Sequence, residues 1–286
     1  MEDKQPDMEE QISSVQNQLV KHIARLQQKS SERRKSGMFV AEGRREVSMA
    51  LSSGIRPVHL LLCPDIYLAD PAYPLPGIDK QPQPVTTVSR TVYNKLAYRR
   101  DAEGVMLVAK QVDLAPEKLS LPESPLLLVI EGVEKPGNLG AILRTADAAG
   151  VDALILTDSR TDIYNPNAIR SSLGCLFTVP VARCNNREAI HWLTGPENWE
   201  KGPPKIFSAI LQISIPYDEA DMTGPTALVF GAEDKGLSEA WRAASHQHIR
   251  IPMAGRIDSL NLAASAAILT FEAVRQRKYK TTGRNR

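Results

Sequence analysis

The chain has 286 residues, 42% of them apolar, and a formal net charge of +2, enough apolar material for a substantial core and for two domains. Its three cysteines, Cys63, Cys175 and Cys184, include no CxxC pair, which argues against a disulfide scaffold and a cysteine-based metal site. No apolar run approaches the ~20 residues needed to span a bilayer, and the acidic, polar start is unlike a signal peptide. The expectation is a cytoplasmic protein.

The charge is unevenly spread. Residues 1–10 carry five acids, residues 21–45 hold eight Lys or Arg against two acids, and residues 275–286 add six basic residues and no acid. Such local basicity suits phosphate contact, and it also suits an ordinary solvated surface.

Residues 1–11 read as disordered. Ile12, Val15, Leu19, Ile23 and Leu26 recur at helical spacing, which predicts a helix over 12–30. Residues 30–37 read as a basic turn, Met38–Ala41 as a strand, and Glu42-Gly43 as the entry to a helix that Ser53-Gly54 stops. Val58–Leu62 is the next strand. A Pro-rich loop follows over 64–84, then a helix over Arg90–Ala97 and a strand over Gly104–Ala109. This alternation predicts a small α/β domain over 12–110, and the prolines of 111–125 mark a linker.

The second domain is expected over 126–277, with a basic flexible tail over 278–286. It opens with the apolar strand Leu126–Glu131, a glycine turn at Gly137–Gly140, and a helix over Leu139–Ala149 that Gly150 ends. Ala153–Leu156, Phe177–Val179, Lys205–Ile210, Ala227–Phe230 and Ile249–Ile251 read as strands. Asn167–Leu173, Arg187–Leu193, Ser238–Ala244 and Asn261–Arg277 read as helices. Continuous apolar strands alternating with helices predict a parallel sheet covered on both faces. No GxGxxG opens this domain and no GxxxxGK[ST] occurs, so neither an ordinary dinucleotide site nor a P-loop is supported.

Three segments concentrate polar residues among glycines. In Gly132–Thr145, Asn138 lies near a helix start, where it suits a cap. Arg144 sits in an apolar stretch of that helix, where it needs solvent, an acid or a phosphate. Gly231-x-Glu233-x-x-Gly236 follows an apolar strand, so its backbone N–H groups suit either a polar ligand or a plain strand–helix joint. In Ile251–Leu262, Ser259 or Asn261 can cap the last helix, whose alanines allow close packing in a core or in a dimer.

In this order and combination the three segments resemble the SpoU-type (TrmH-like) RNA ribose methyltransferases of the SPOUT superfamily, over 126–276. The resemblance implies a homodimer and a SPOUT-type α/β domain with a C-terminal trefoil knot, a topology that ordinary chain-connection rules do not anticipate. It implies S-adenosylmethionine bound by the loops Phe230–Gly236, Ile251–Gly255 and Ser259–Ala264, with Phe230, Gly231, Gly236, Ile251, Met253, Ser259, Leu260 and Ala264 as cofactor residues. Gly231 is expected to let the adenine approach closely. Asn138, Arg144, Glu233 and Asn261 match the family's catalytic positions, Arg144 activating or orienting a ribose 2′-hydroxyl and its phosphate. No metal is implied.

Residues 17–109, best at Phe39–Gly43, resemble an L30e-like RNA-binding domain. Arg33, Arg34, Lys35, Arg44, Arg45, Arg99, Arg100 and, on the second domain, Arg170 are then candidates for backbone contacts, which fix register rather than base identity. The implied reaction is 2′-O-methylation of RNA, with 23S ribosomal RNA favoured. The competing readings are a tRNA ribose methyltransferase and an RNA-binding module without catalysis.

Overall fold

The computed structural model describes residues 11–67, 73, 75, 85–98 and 101–278. The chain divides into two compact units, one of Met1–Val112 with Ile163–Thr178, the other of Asp113–Asp162 with Val179–Arg286.

In the first unit, Ile12 bridges Val88, and α1 (Gln18–Gln28) begins where Asn17 Oδ1 accepts from Leu19 N across 2.8 Å. The segment expected as a basic turn is instead a second helix, α2 (Ser30–Ser36), closed by Gly37 in the left-handed region. Its Arg33 turns inward and donates to Leu26 O and Gln27 O, the last carbonyls of α1. That cap needs a helical approach to the α1 end, which overrides the weak helix preference of a Ser-rich stretch.

β1 (Met38–Glu42), α3 (Arg44–Ser52), β2 (Pro57–Leu62), β3 (Val85–Thr87), α4 (Arg90–Leu96) and β4 (Val105–Lys110) complete the main part of this unit. The sheet runs β1-β4-β2-β3, antiparallel except for β2 with β3. Val20, Ile23 and Leu26 of α1 meet Val92, Tyr93, Met106 and Val108 in its core. The unit also contains Ile163–Thr178, which the sequence reading assigned to the second domain. Here the rings of Tyr164 and Phe177 stack on Phe39, with centroids 4.6 and 5.6 Å away. Phe177–Val179 is not a strand, because Cys175–Phe177 forms a 3-10 turn after Gly174, itself at φ 86°, and the strand starts beyond Pro180.

The second unit is built from β5 (Leu126–Glu131), α5 (Pro136–Ala149), β6 (Ala153–Thr157), β7 (Val181–Cys184), α7 (Asn186–Thr194), β8 (Lys205–Ala209), β9 (Ile215–Pro216), β10 (Thr226–Phe230), α8 (Glu239–Ala244), β11 (Gln247–Arg250) and α9 (Leu262–Lys278), with α6 (Pro166–Ser171) standing in the first unit. Every pairing in its sheet is parallel, in the order β7-β6-β5-β10-β8-β11-β9. Every residue of β5 is buried, as expected of a strand covered on both faces. α5 starts with Pro136, whose missing N–H costs nothing in a first turn, and ends at Gly150 with φ 66°. Arg277, near the end of α9, donates to Pro125 O and Met222 O at 3.1 Å each, tying that helix to the segments ahead of β5 and β10.

The strand order decides where a ligand can sit. From β5 the chain moves outward through β6 and β7, then returns beyond β5 to build β8, with β10 inserted between them later. The loops leaving β5 and β10 at their carboxyl ends are therefore neighbours that run to different parts of the fold, the usual place for a crevice in a parallel sheet.

Candidate active site

At the carboxyl ends of β5 and β10, three side chains from separate loops converge. Asn138, in the first turn of α5, donates from Nδ2 to Glu233 Oε1 across 2.6 Å. Asn261, just ahead of α9, donates from Nδ2 to the same oxygen across 3.0 Å and to Asn138 Oδ1 across 3.3 Å. Lys135 donates from Nζ to the other carboxylate oxygen. Asn261 is itself held, because its Oδ1 accepts from Ala263 N across 3.0 Å at the start of α9.

This arrangement sets the chemistry of Glu233. The Lys135 hydrogen bond above all, with a lesser contribution from the Asn138 amide, holds the Glu233 carboxyl below the usual carboxylate range against an opposing burial penalty, and the same Lys135 contact raises Lys135. A carboxylate with lowered basicity and both oxygens engaged is a poor general base and a good fixed anchor. Lys135 was not singled out from the sequence. Its position just before a Pro-started helix offered a hint, but an exposed lysine carries little signal alone.

Glu233 stands in the wall of two hollows. A cavity of about 660 Å³ is lined by residues immediately beyond β8, β10 and β11 and by the start of α9. A smaller pocket of about 240 Å³ lies against Lys135, Asn138, Glu233 and Leu262. Of the expected cofactor residues, Phe230, Gly231, Gly236, Ile251, Met253, Ser259 and Leu260 line the larger cavity. Ala264 is exposed and lies outside that lining, where Leu262, Ser265 and Leu269 are the α9 residues that reach it. Ile210, Leu211, Gln212 and Arg242 also line it and were missed. Their place just beyond the carboxyl end of a parallel strand, β8, is the signal that would have found the first three.

Gly231 is required by the path of its own loop. A Cβ there would lie 2.2 Å from Gly236 C and 2.4 Å from Leu237 N, so the loop's own backbone demands the glycine. A second anchor holds the far side of that loop. The buried Glu131, at the end of β5, accepts from Ser238 N across 2.8 Å and from Asn186 Nδ2, and Asn186 Oδ1 accepts from Trp241 Nε1 across 2.9 Å.

Arg144 does not join the cluster within one chain. It lies six residues beyond Asn138, about 120° round the helix, and is exposed with no hydrogen bond or ion pair among the described residues. The candidate RNA contacts in the first unit separate into groups. Arg34, Lys35 and Arg170 are exposed, whereas Arg33 is only 2% exposed. Its guanidinium is spent on capping α1, so the structure removes Arg33 from the surface set. Arg44 is engaged by Glu103, and Arg45 sits over the Tyr73 ring at 4.6 Å. Arg99 and Arg100 lie outside the described residues.

No group of three or more His, Cys, Asp or Glu side chains among the described residues is arranged to hold a metal ion. None of the described helices is long and apolar enough to cross a membrane.

Comparison with known proteins agrees with this geometry. Residues 125–271 match the SpoU rRNA Methylase family, and residues 17–107 match the MRM3-like substrate binding domain. The 23S rRNA (guanosine(2553)-2'-O)-methyltransferase RlmP of Bacillus subtilis (strain 168) is 31% identical over 91% of this chain and 98% of its own length. The 23S rRNA (uridine(2479)-2'-O)-methyltransferase of Streptomyces viridochromogenes is 31% identical over 86% of each chain. The AdoMet-bound rRNA methyltransferase structure from Sinorhizobium meliloti matches with a TM-score of 0.81 and 29% identity, covering 93% of this chain and 97% of that one. With its all-parallel sheet typical of the knotted SpoU/TrmH domain, and the three polar segments meeting at its carboxyl edge, the chain belongs to the SpoU rRNA methylase family and carries an MRM3-like substrate binding domain ahead of the catalytic one.

Proposed function

We propose that this protein transfers a methyl group from S-adenosylmethionine to a ribose 2′-hydroxyl of 23S ribosomal RNA. The observation that carries the reading is the place of Glu233, shared by the walls of a 660 Å³ cavity and a 240 Å³ pocket and bonded to Asn138 between them. The larger cavity suits the cofactor, since its volume lies in the ~300–1,000 Å³ range of small-molecule sites. Phe230, Ile251 and Leu260 offer apolar contact for a flat base, and Ser259 and the loop backbone offer polar contact. When bound, the cofactor supplies a methyl on a positively charged sulfur, so neither a metal nor a covalent enzyme intermediate is needed.

The smaller pocket is the place for the ribose. Lys135 and Asn138 at its edge orient the sugar and its phosphate, and Glu233 holds both side chains in position. The C–O bond forms as the S–C bond breaks, and the 2′-hydroxyl proton leaves to solvent. A guanidinium is protonated at neutral pH, so Arg144 acts by holding the phosphate and stabilising the developing charge rather than by taking the proton.

The reading includes a homodimer in the cytoplasm. α9 exposes Ile268 and Phe271 in one row with Ala264 and Arg275, and α5 packs beside it with Arg144 facing outward. An apolar row of this kind suits a second copy, which would bring an outward Arg144 to a site that lacks one. The related 23S rRNA enzymes, both matched along most of their length, favour ribosomal RNA over tRNA. The test is transfer of labelled methyl from S-adenosylmethionine to separated tRNA, 16S and 23S rRNA. Label in 23S rRNA alone is expected, whereas label confined to tRNA would overturn the substrate assignment.

A further inference from the structure

The second unit carries another hollow, about 390 Å³ in volume, remote in the fold from the site above. Its walls come from the segment leading into β5 and from the end of α7 with the turn that follows, at the amino ends of the strands rather than the carboxyl ends. Trp192 and Trp199 meet edge to face in it, their centroids 4.9 Å apart at 61°. The pair is fixed, because Trp199 Nε1 and Asn198 Nδ2 both donate to Trp192 O, across 3.2 and 3.0 Å.

The charged residues on this lining, Glu117, Glu123 and Glu200, are all acidic. Lys201 pairs with Glu123 at the rim, while Glu117 and Glu200 are exposed and have no hydrogen bond or ion pair among the described residues. A carboxylate-rimmed hollow repels an RNA backbone, so the substrate does not explain it. The half-buried Trp199 indole, backed by the buried Trp192 and set beneath carboxylates, joins an aromatic surface to negative charge, the pair of features that attracts a cation.

We propose that the Trp192–Trp199 hollow is a docking surface for a lysine- or arginine-bearing peptide segment of a protein partner. The apolar stem of the basic side chain lies along the Trp199 indole, and its charged head meets Glu117 and Glu200. The charge complementarity selects a basic peptide over a nucleic acid or a second acidic rim. The methyl-transfer site takes no part in it, so loss of docking leaves catalysis on free RNA unchanged.

The test uses the full chain and capped hexalysine and hexa-arginine peptides, with a hexaglutamate control, followed by tryptophan fluorescence and calorimetry. Salt-sensitive binding of the basic peptides is expected. In the Glu117→Gln/Glu200→Gln double variant, whose exposed sites keep the fold, binding weakens by about two- to fivefold, the loss expected when exposed ion pairs are removed. The Glu117→Lys/Glu200→Lys variant abolishes it, and methyl transfer is unaffected in both. Basic peptides that bind the double variant as tightly as the parent, or that fail to bind the parent at millimolar concentration, overturn the proposal. So does self-association of the chain that the charge-reversal variant removes, which would make the hollow a contact between copies.

Discussion

Asn138 Nδ2 donates to Glu233 Oε1 across 2.6 Å, although 95 residues separate them in the chain. The contact exists because β5 and β10 are adjacent and parallel, with Ile130 in register with Phe230, so the loops that follow leave the sheet side by side. Asn261 then joins from the start of α9, and its bond to Glu233 links all three polar segments through one carboxylate. Replacing Glu233 with Gln keeps the shape but sets an amide N–H against the donors of Asn138 or Lys135. Methyl transfer is expected to fall about 100-fold through misplacement of the ribose, with cofactor affinity changed little. Single-turnover rates beside calorimetric titration of S-adenosylmethionine check the split.

Arg144 offers a contrast between stability and activity. Its side chain is exposed and free of partners among the described residues, so Arg144→Ala is expected to shift stability by less than about 0.5 kcal/mol. Methyl transfer is expected to be lost. Arg144→Lys is expected to recover little of it, because an ammonium lacks the planar fork that grips a phosphate. Thermal melts and initial rates on the same preparations test both halves.

The loop glycines separate backbone demand from ligand demand. Gly231→Ala places a methyl against the backbone of Gly236, so the loop must move and cofactor affinity should drop. Gly236 has φ 65° and open space around it. Alanine there is expected to cost about 1 kcal/mol from conformation alone, and asparagine less. Equilibrium dialysis with labelled cofactor ranks the three variants.

The acidity of Glu233 has a definite sign. Its folded pKa is depressed, chiefly by the Lys135 hydrogen bond. The stabilisation from these contacts is therefore present above the unfolded glutamate value of about 4.3 and is lost as pH falls through the lower folded value. No Glu233-linked change is expected between pH 6 and 8. In Lys135→Ala the carboxyl should titrate at higher pH than in the parent, which side-chain carboxyl NMR resolves.

Arg33 and its neighbours distinguish folding from RNA contact. Arg33→Ala leaves the last carbonyls of α1 without their buried donor and is expected to destabilise the first unit by about 1–3 kcal/mol. Arg34→Ala/Lys35→Ala removes two exposed cations. Stability should hold while RNA affinity falls and the salt dependence of binding becomes shallower by about two phosphate contacts.

Much of the second unit was legible in the sequence, because its local signals agree. Leu126–Glu131 is an unbroken apolar strand, and Gly150 stops α5 where a left-handed residue is required. The polar side chains of the candidate site were legible as three segments in order, although only the strand order brings Asn138, Glu233 and Asn261 together. What escaped was set by distant contacts. The inward turn of Arg33 depends on carbonyls of the preceding helix, and the grouping of Ile163–Thr178 with the first unit depends on stacking against Phe39. The tight approach of Gly236 to Gly231 likewise leaves no trace in a GxExxG pattern that fits many loops.

The most direct measurement is nucleoside analysis of 23S rRNA after incubation with the enzyme and methyl-labelled S-adenosylmethionine. Label is expected in one 2′-O-methylnucleoside, and is expected to be absent when Arg144→Ala replaces the parent. Label on a base, or undiminished ribose label with Arg144→Ala, would contradict it.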